Sequence, residues 1–84
     1  MLIRFFAGAA EAAGIEETRL LADDLTVTGL LSELPAHLPD HDPERLAKVL
    51  RVSSLLADGV RVDDPSLSLR GVAQLDVLPP FAGG

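Results

Sequence analysis

The 84-residue sequence contains no cysteine, tryptophan or tyrosine. Without cysteine, the chain has no disulfide, no thiolate metal ligand and no thiol nucleophile. The aromatic residues are three phenylalanines, Phe5, Phe6 and Phe81, and so few rings disfavour a stacking platform for single-stranded nucleic acid. Thiol chemistry is therefore excluded as a function of these side chains, and base stacking is disfavoured.

Positive charge and long apolar runs are also scarce. Thirteen acidic residues against seven basic residues give a formal charge of −6, which repels nucleic-acid phosphates and anionic lipid and favours basic protein partners. No apolar run approaches the roughly 18 residues of a membrane span, and no charged leader precedes a cleavable apolar stretch. We therefore expect a cytoplasmic protein. We also expect a single domain, because a chain of this length is too short for a second core.

One histidine and aspartate cluster has residue types that could bind a metal. His37 and His41 lie next to Asp40 and Asp42, but Pro39 separates the histidines, and no further histidine or cysteine completes a tetrahedral set. A glycine-rich phosphate loop, a Ser-His-Asp arrangement and a basic patch are also missing from the sequence. We expect this cluster to be a solvated loop and predict no metal site.

The apolar pattern predicts an α+β fold. Period-two and short apolar segments indicate strands, whereas spacings of three and four indicate helices, one of them capped by Thr26 or Asp24 and one starting at Asp42-Pro43. Asp58-Gly59 predicts a two-residue type I′ hairpin. The expected strands are 2–6, 18–21, 54–57, 60–62 and 75–78, and the expected helices are 8–13, 27–34 and a short one after residue 43. A sheet with helix on one face accommodates this order.

The last residues form a tail of unusual composition. Pro79 and Pro80 lack backbone donors and fix φ, so they end the last strand and favour an extended path. Six residues can span roughly 20 Å, which predicts a domain over 1–78 and a protruding tail over 79–84. Gly83 and Gly84 have no side chain and fit a narrow channel, and the Gly84 carboxylate needs outside activation before it reacts. A floppy terminus of small residues is the alternative.

Two phenylalanines are candidates for partner contact. Phe81 follows the double proline, where a large apolar side chain favours an interface anchor, although it could instead fold back on its own domain. Phe6 shares one face of the first strand with Leu2 and Arg4. That face fits either a partner contact or ordinary partial exposure.

Residues 76–84, DVLPPFAGG, resemble the terminal signature of the MoaD family, the small sulfur-carrying subunits of molybdopterin synthase, and residues 3–7, IRFFA, resemble the family's opening. The resemblance implies a ubiquitin-like β-grasp fold, with a mixed sheet, a helix packed on one face and an extended C-terminal Gly-Gly tail. It also implies that the first and last strands lie side by side in the middle of the sheet.

The resemblance implies a reaction path as well. A MoeB-like enzyme would use ATP to adenylate the Gly84 carboxylate, and a sulfurtransferase would supply the sulfur that makes a thiocarboxylate, 1-thioglycine. The tail would then donate sulfur to cyclic pyranopterin monophosphate in a large MoaE-like subunit that provides the catalytic side chains, with no cofactor bound tightly to this chain. The implied site residues are Gly84 for the chemistry, Gly83 for entry, and Phe81, Pro79, Pro80, Ala82 and Phe6 for partner binding.

Three other functions fit the same residues. A carrier of this kind can serve thiazole or cysteine biosynthesis instead of molybdopterin. A ubiquitin-like modifier would join its Gly84 carboxyl to lysines of other proteins. A non-catalytic interaction domain would have incidental glycines. Nucleic acid and membranes are not expected partners, because of the charge and the lack of a spanning segment.

Overall fold

A computed structural model describes residues 1–80 of the chain. In chain order its elements are β1 (Leu2–Phe5), α1 (Gly8–Ala13), β2 (Glu17–Arg19), α2 (Val27–Glu33), a 3₁₀ turn (Leu34–His37), α3 (Pro43–Val52), β3 (Ser54–Ala57), β4 (Val60–Arg61) and β5 (Gln74–Leu78).

The described strands form one mixed sheet in the order β2-β1-β5-β3-β4. β1 and β5 run parallel, with Ile3 opposite Leu75 and Phe5 opposite Val77, and the other neighbours are antiparallel. The two ends of the chain thus meet in the middle of the sheet. This confirms the arrangement that the sequence resemblance implied.

The core lies between one face of the sheet and the helices. The largest fully buried side chains are all aliphatic, which confirms the predicted α+β packing. Burial of one such side chain stabilises the fold by roughly 1.5–3 kcal/mol. These side chains are Ile3, Leu30, Leu34, Leu38, Leu46, Leu69, Leu75 and Val77.

The two longer helices begin at capping residues that the sequence predicts. Thr26 Oγ1 accepts a hydrogen bond from the Gly29 N–H (3.1 Å), which decides between Thr26 and Asp24, and the Asp42 carboxylate accepts one from the Arg45 N–H (3.2 Å). Pro35 lies in the 3₁₀ turn that follows α2, as expected of a residue that ends a helix. The prediction that α3 is short is wrong: it has ten residues, because the five residues that follow Pro43 are all good helix formers.

Gly14 ends α1 with a left-handed φ of 78°. A Cβ at this position would lie 2.7 Å from the backbone oxygen of Asp40. Glu11 of α1 and Arg45 of α3 form an ion pair (2.6 Å). The end of α1 is therefore packed tightly against the segment that leads into α3.

The β3–β4 turn has positive φ at both central residues, 49° at Asp58 and 83° at Gly59, which confirms the type I′ prediction. The Asp58 carboxylate accepts hydrogen bonds from the N–H groups of Ala73 (3.1 Å) and Gln74 (2.9 Å). The Asp58 N–H donates in turn to the Gln74 carbonyl (2.9 Å). The hairpin is thereby attached to the start of β5.

The connecting segments differ from expectation in two places. β2 ends at Arg19 instead of reaching Leu21, whose side chain is 92% exposed. In the loop before β5, the apolar residues Leu67 and Leu69 would both be expected to anchor the loop, but only Leu69 is fully buried and Leu67 is exposed. In the same loop, hydrogen bonds from the hydroxyl and N–H of Ser66 hold the pKa of the exposed Asp64 carboxyl below its ordinary value of 3.8.

Within residues 1–80, none of the helices has the length and apolar character needed to cross a bilayer.

Candidate functional site

The central strand β5 fixes the point from which the tail leaves the domain. β5 pairs with β1 on one side and with β3 on the other. At its end, Leu78 lies opposite Ser54, and the Phe6 N–H donates a hydrogen bond to the Val77 carbonyl (3.2 Å). Because both neighbours hold the strand, the root of the tail has a defined position in the fold.

The predicted tail is only partly described. Pro79 is half-buried and Pro80 is exposed. Phe81, Ala82, Gly83 and Gly84 lie outside the described residues. The division at 78/79 and the roles of these four residues stay predictions.

Phe6 lies beside the tail root on the face of the sheet opposite the helices. It follows Phe5, which is opposite Val77, so strand alternation places Phe6 next to Leu78 on this open face. Phe6 is half-buried, and the Arg4 guanidinium carbon is 5.0 Å from its ring centroid. This is cation–π geometry, so Arg4 shields part of the ring from water.

The strand register places charges of alternating sign across the open face. Glu17, Arg4 and Asp76 are neighbours on β2, β1 and β5, and Leu56 and Arg61 continue the row on β3 and β4. Opposite charges on directly neighbouring strands stabilise the sheet by roughly 0.2–1 kcal/mol per pair. The sequence indicates Phe6 as a candidate but does not indicate Asp76, because only the pairing of β1 with β5 brings Asp76 next to Arg4.

A depression of about 300 Å³ lies beside this face. Its lining includes Arg4, Phe6 and Ala10, together with the carboxylates of Glu16 and Glu17. The depression thus presents both charge and apolar surface beside the open face.

The histidine cluster has local structural contacts. His41 Nδ1 donates a hydrogen bond to the Leu38 carbonyl, and His37 is exposed at the end of the 3₁₀ turn. Over the described part of the chain, no three histidine or carboxylate side chains are grouped so that they could hold a metal ion.

The sequence matches no protein-family model and no curated protein, but solved structures share its fold. SAMP1 from Haloferax volcanii superposes with a TM-score of 0.71 and 23% identity over 100% of this chain and 98% of that chain. The crystal structure of H. volcanii small archaeal modifier protein 1 gives 0.68 and 22% over 96% and 97%. These likenesses establish the ubiquitin-like β-grasp fold that the sequence resemblance implied.

Proposed function

We propose that this β-grasp protein is a sulfur carrier, whose Gly84 thiocarboxylate donates sulfur to cyclic pyranopterin monophosphate as the small subunit of molybdopterin synthase. The single observation that carries the proposal is the place of β5. The central strand, held on both sides, continues directly into Pro79-Pro80 and the Gly83-Gly84 end. The MoaD-like residues 76–84 favour the molybdopterin pathway.

The proposed reaction uses the Gly84 carboxyl group and no side chain of this domain. A carboxylate oxygen attacks the α-phosphorus of ATP and displaces pyrophosphate. The product is an acyl adenylate, whose AMP is the leaving group in the next step. The terminal sulfur of the sulfurtransferase's persulfide then attacks the acyl carbon, and AMP departs with the electron pair. A thiol cleaves the resulting acyl disulfide, which leaves a disulfide on the sulfurtransferase side and releases the thiocarboxylate. The resulting thiocarboxylate is a sulfur nucleophile, and confinement in a partner's pocket would raise its effective concentration and exclude water.

The proposed partners follow from this chemistry. A MoeB-like enzyme would bind the ATP, a sulfurtransferase would be the sulfur source, and a MoaE-like large subunit would supply the catalytic side chains. The open face around Phe6 lies beside the tail root and is the surface that we assign to these contacts. Phe81, Ala82 and the two prolines would place Gly83 and Gly84 in the partner's channel.

Intact mass spectrometry tests the proposal directly. Protein isolated from cells that make it should contain a form about 16 Da heavier, because sulfur replaces one oxygen. Alkylation of the thiocarboxylate should place the label on Gly84, and a variant without Gly83-Gly84 should show neither change. If the deletion variant still supports molybdoenzyme activity, the glycines are incidental and the protein is an interaction domain.

A second candidate function is a ubiquitin-like modifier, which the names of the two structural neighbours favour, since one is called a small archaeal modifier protein. The same activated Gly84 would then acylate lysines of other proteins. Because Arg70 is the last basic residue, trypsin would leave residues 71–84 as a branch on each modified lysine. Finding that branch on foreign proteins, without a thiocarboxylate form, would favour the modifier over the carrier.

A further inference from the structure

The strand β2 forms one outer edge of the described sheet. It is the first strand in the order β2-β1-β5-β3-β4, and its Glu17 and Arg19 are exposed. We propose that this edge pairs with the β2 edge of a second copy of the chain, antiparallel about a two-fold axis at Thr18, so that the two five-stranded sheets become one. The inference does not depend on the acyl chemistry proposed above.

Alternate backbone groups of β2 point away from the sheet. The Leu20 N–H donates a hydrogen bond to the Met1 carbonyl (3.0 Å), so the backbone groups of Leu20 face β1. Successive residues of a strand direct these groups to opposite sides. The N–H and C=O groups of Arg19, and of Glu17 two residues before it, therefore face outward, where a further strand can pair with them.

The charges of this edge are complementary to themselves. In an antiparallel pair centred on Thr18, Glu17 of one copy lies opposite Arg19 of the other, and the two-fold axis makes this contact twice. The two residues would also exchange both of their outward backbone hydrogen bonds. Opposite charges directly across neighbouring strands favour pairing. The ion pairs of residues 1–80 involve neither Glu17 nor Arg19, so both charges are available to the second copy.

Two exposed apolar side chains flank the charged contacts. Leu21 is 92% exposed and Ile15 is 47% exposed. The same register places Leu21 of one copy opposite Ile15 of the other, and removal of both from water favours association. The sequence predicts that β2 reaches Leu21, whereas β2 ends at Arg19 in the single copy. The dimer would give Leu21 the strand partner that it lacks there.

The opposite edge of the sheet is less suited to a second copy. β4 consists of two residues, and its Arg61 already forms an ion pair with Asp63 of the same chain (3.6 Å). β2 offers a longer edge whose charges are not used within the chain. We therefore assign the contact to β2.

The dimer would leave the root of the tail accessible. β1 lies between β2 and β5, so the two β5 strands would be five strand spacings apart, about 24 Å. The two copies are antiparallel, and their tails leave the joined sheet at opposite ends. Each tail then has its own end of the dimer at which to meet a partner.

Exchange of charge at the edge tests the inference. Sedimentation velocity of the full chain, from about 10 µM to about 1 mM, should show a dimer. Glu17→Arg and Arg19→Glu should each weaken it by roughly tenfold or more, because both contacts become like-charged. An equimolar mixture of the two variants should dimerise again, since each charge at one position then meets its opposite at the other. Glu33→Arg and Arg51→Glu, at exposed positions of α2 and α3, change the net charge equally and should have no effect.

A further variant and a local measurement support the same test. Leu21→Glu alters a side chain that is exposed in the single copy, so it should weaken the dimer without changing the melting temperature, even if a charge exchange unfolds the domain. Amide hydrogen exchange at Glu17 and Arg19 should slow as the concentration rises. Exchange at Thr18, which is opposite Ile3 of β1, should not change.

Three results would overturn the proposal. They are a chain that stays monomeric at every concentration, a dimer that Leu21→Glu and both charge exchanges leave intact, and a mixture of folded charge variants that does not associate. Because none of these measurements involves the Gly84 carboxyl group, they leave the thiocarboxylate test of the carrier function unaffected.

Discussion

Asp58 has two structural tasks at one position. Its φ of 49° allows the type I′ turn, and its carboxylate receives N–H groups from both Ala73 and Gln74. Asparagine and aspartate tolerate left-handed backbone better than other non-glycine residues. The residue thus couples the shape of the hairpin to the position of the central strand.

We therefore predict that Asp58→Ala lowers the free energy of unfolding by about 1–3 kcal/mol, because two N–H groups lose their acceptor and alanine is strained at positive φ. Asp58→Asn keeps one acceptor oxygen and the tolerance of positive φ, so its loss should be smaller. Urea denaturation of the three proteins measures the difference. If both variants are as stable as the unsubstituted protein, the carboxylate has no such role.

Phe81 is the residue on which partner binding is predicted to depend most. Phe81→Ala should weaken binding to the large subunit by about 1–4 kcal/mol, since truncating a buried aromatic anchor typically has this effect. Titration calorimetry with the co-purified partner measures the change. Thermal stability should stay the same, and an unaltered dissociation constant would contradict the anchor role.

Two glycines end or bend elements at nearly equal φ, 78° at Gly14 and 79° at Gly71. Their surroundings differ. A Cβ at Gly14 would lie 2.7 Å from the Asp40 backbone oxygen, whereas a Cβ at Gly71 would meet no atom within 4 Å. A side chain at Gly71 would therefore introduce backbone strain alone, whereas a side chain at Gly14 would introduce the same strain and a steric clash.

Gly71→Ala should cost about 1–2 kcal/mol of unfolding free energy, the penalty for left-handed backbone. Gly14→Ala should cost distinctly more, because the contact between α1 and the segment before α3 has to open as well. Thermal or urea unfolding compares the two variants. Equal losses of unfolding free energy would mean that the contact between α1 and the segment before α3 opens at no cost.

At the scale of the whole molecule, the sheet order joins the chain's beginning to its end. β1 and β5 are parallel neighbours in the centre, so the first strand and its Phe6 N–H hold the root of the tail. The same order leaves Leu78 opposite Ser54, where α3 passes into β3. The root of the tail and the C-terminal end of α3 therefore lie at the same end of the domain.

Extension of the chain beyond Gly84 tests whether the terminus is the reactive group. A few added residues should abolish thiocarboxylate formation, since the proposed activation needs a free Gly84 carboxylate. The melting temperature should not change, because termini tolerate additions where their backbone is not buried. A large fall in melting temperature would show that the tail belongs to the folded core.

The sequence by itself determined the local features of this protein. Thr26 and Asp42 capped helices, Gly14 ended one and Asp58-Gly59 formed a type I′ turn, because each depends on a few adjacent residues and their backbone preferences. The motif in residues 76–84 also indicates the proposed function without reference to the fold. Strand alternation puts Ile3 and Phe5 on one face of β1, and both are buried.

Only the tertiary structure decided which distant residues meet. The register that sets Arg4 beside Asp76 and the groove that α3 forms with α2 depend on contacts between segments far apart in the chain. The length of β2 and the exposure of Leu67 were decided in the same way, since packing overrides local propensity where the two compete. The hydrophobic pattern of a segment specifies which face is buried. Which other segment packs against that face depends on the whole tertiary structure.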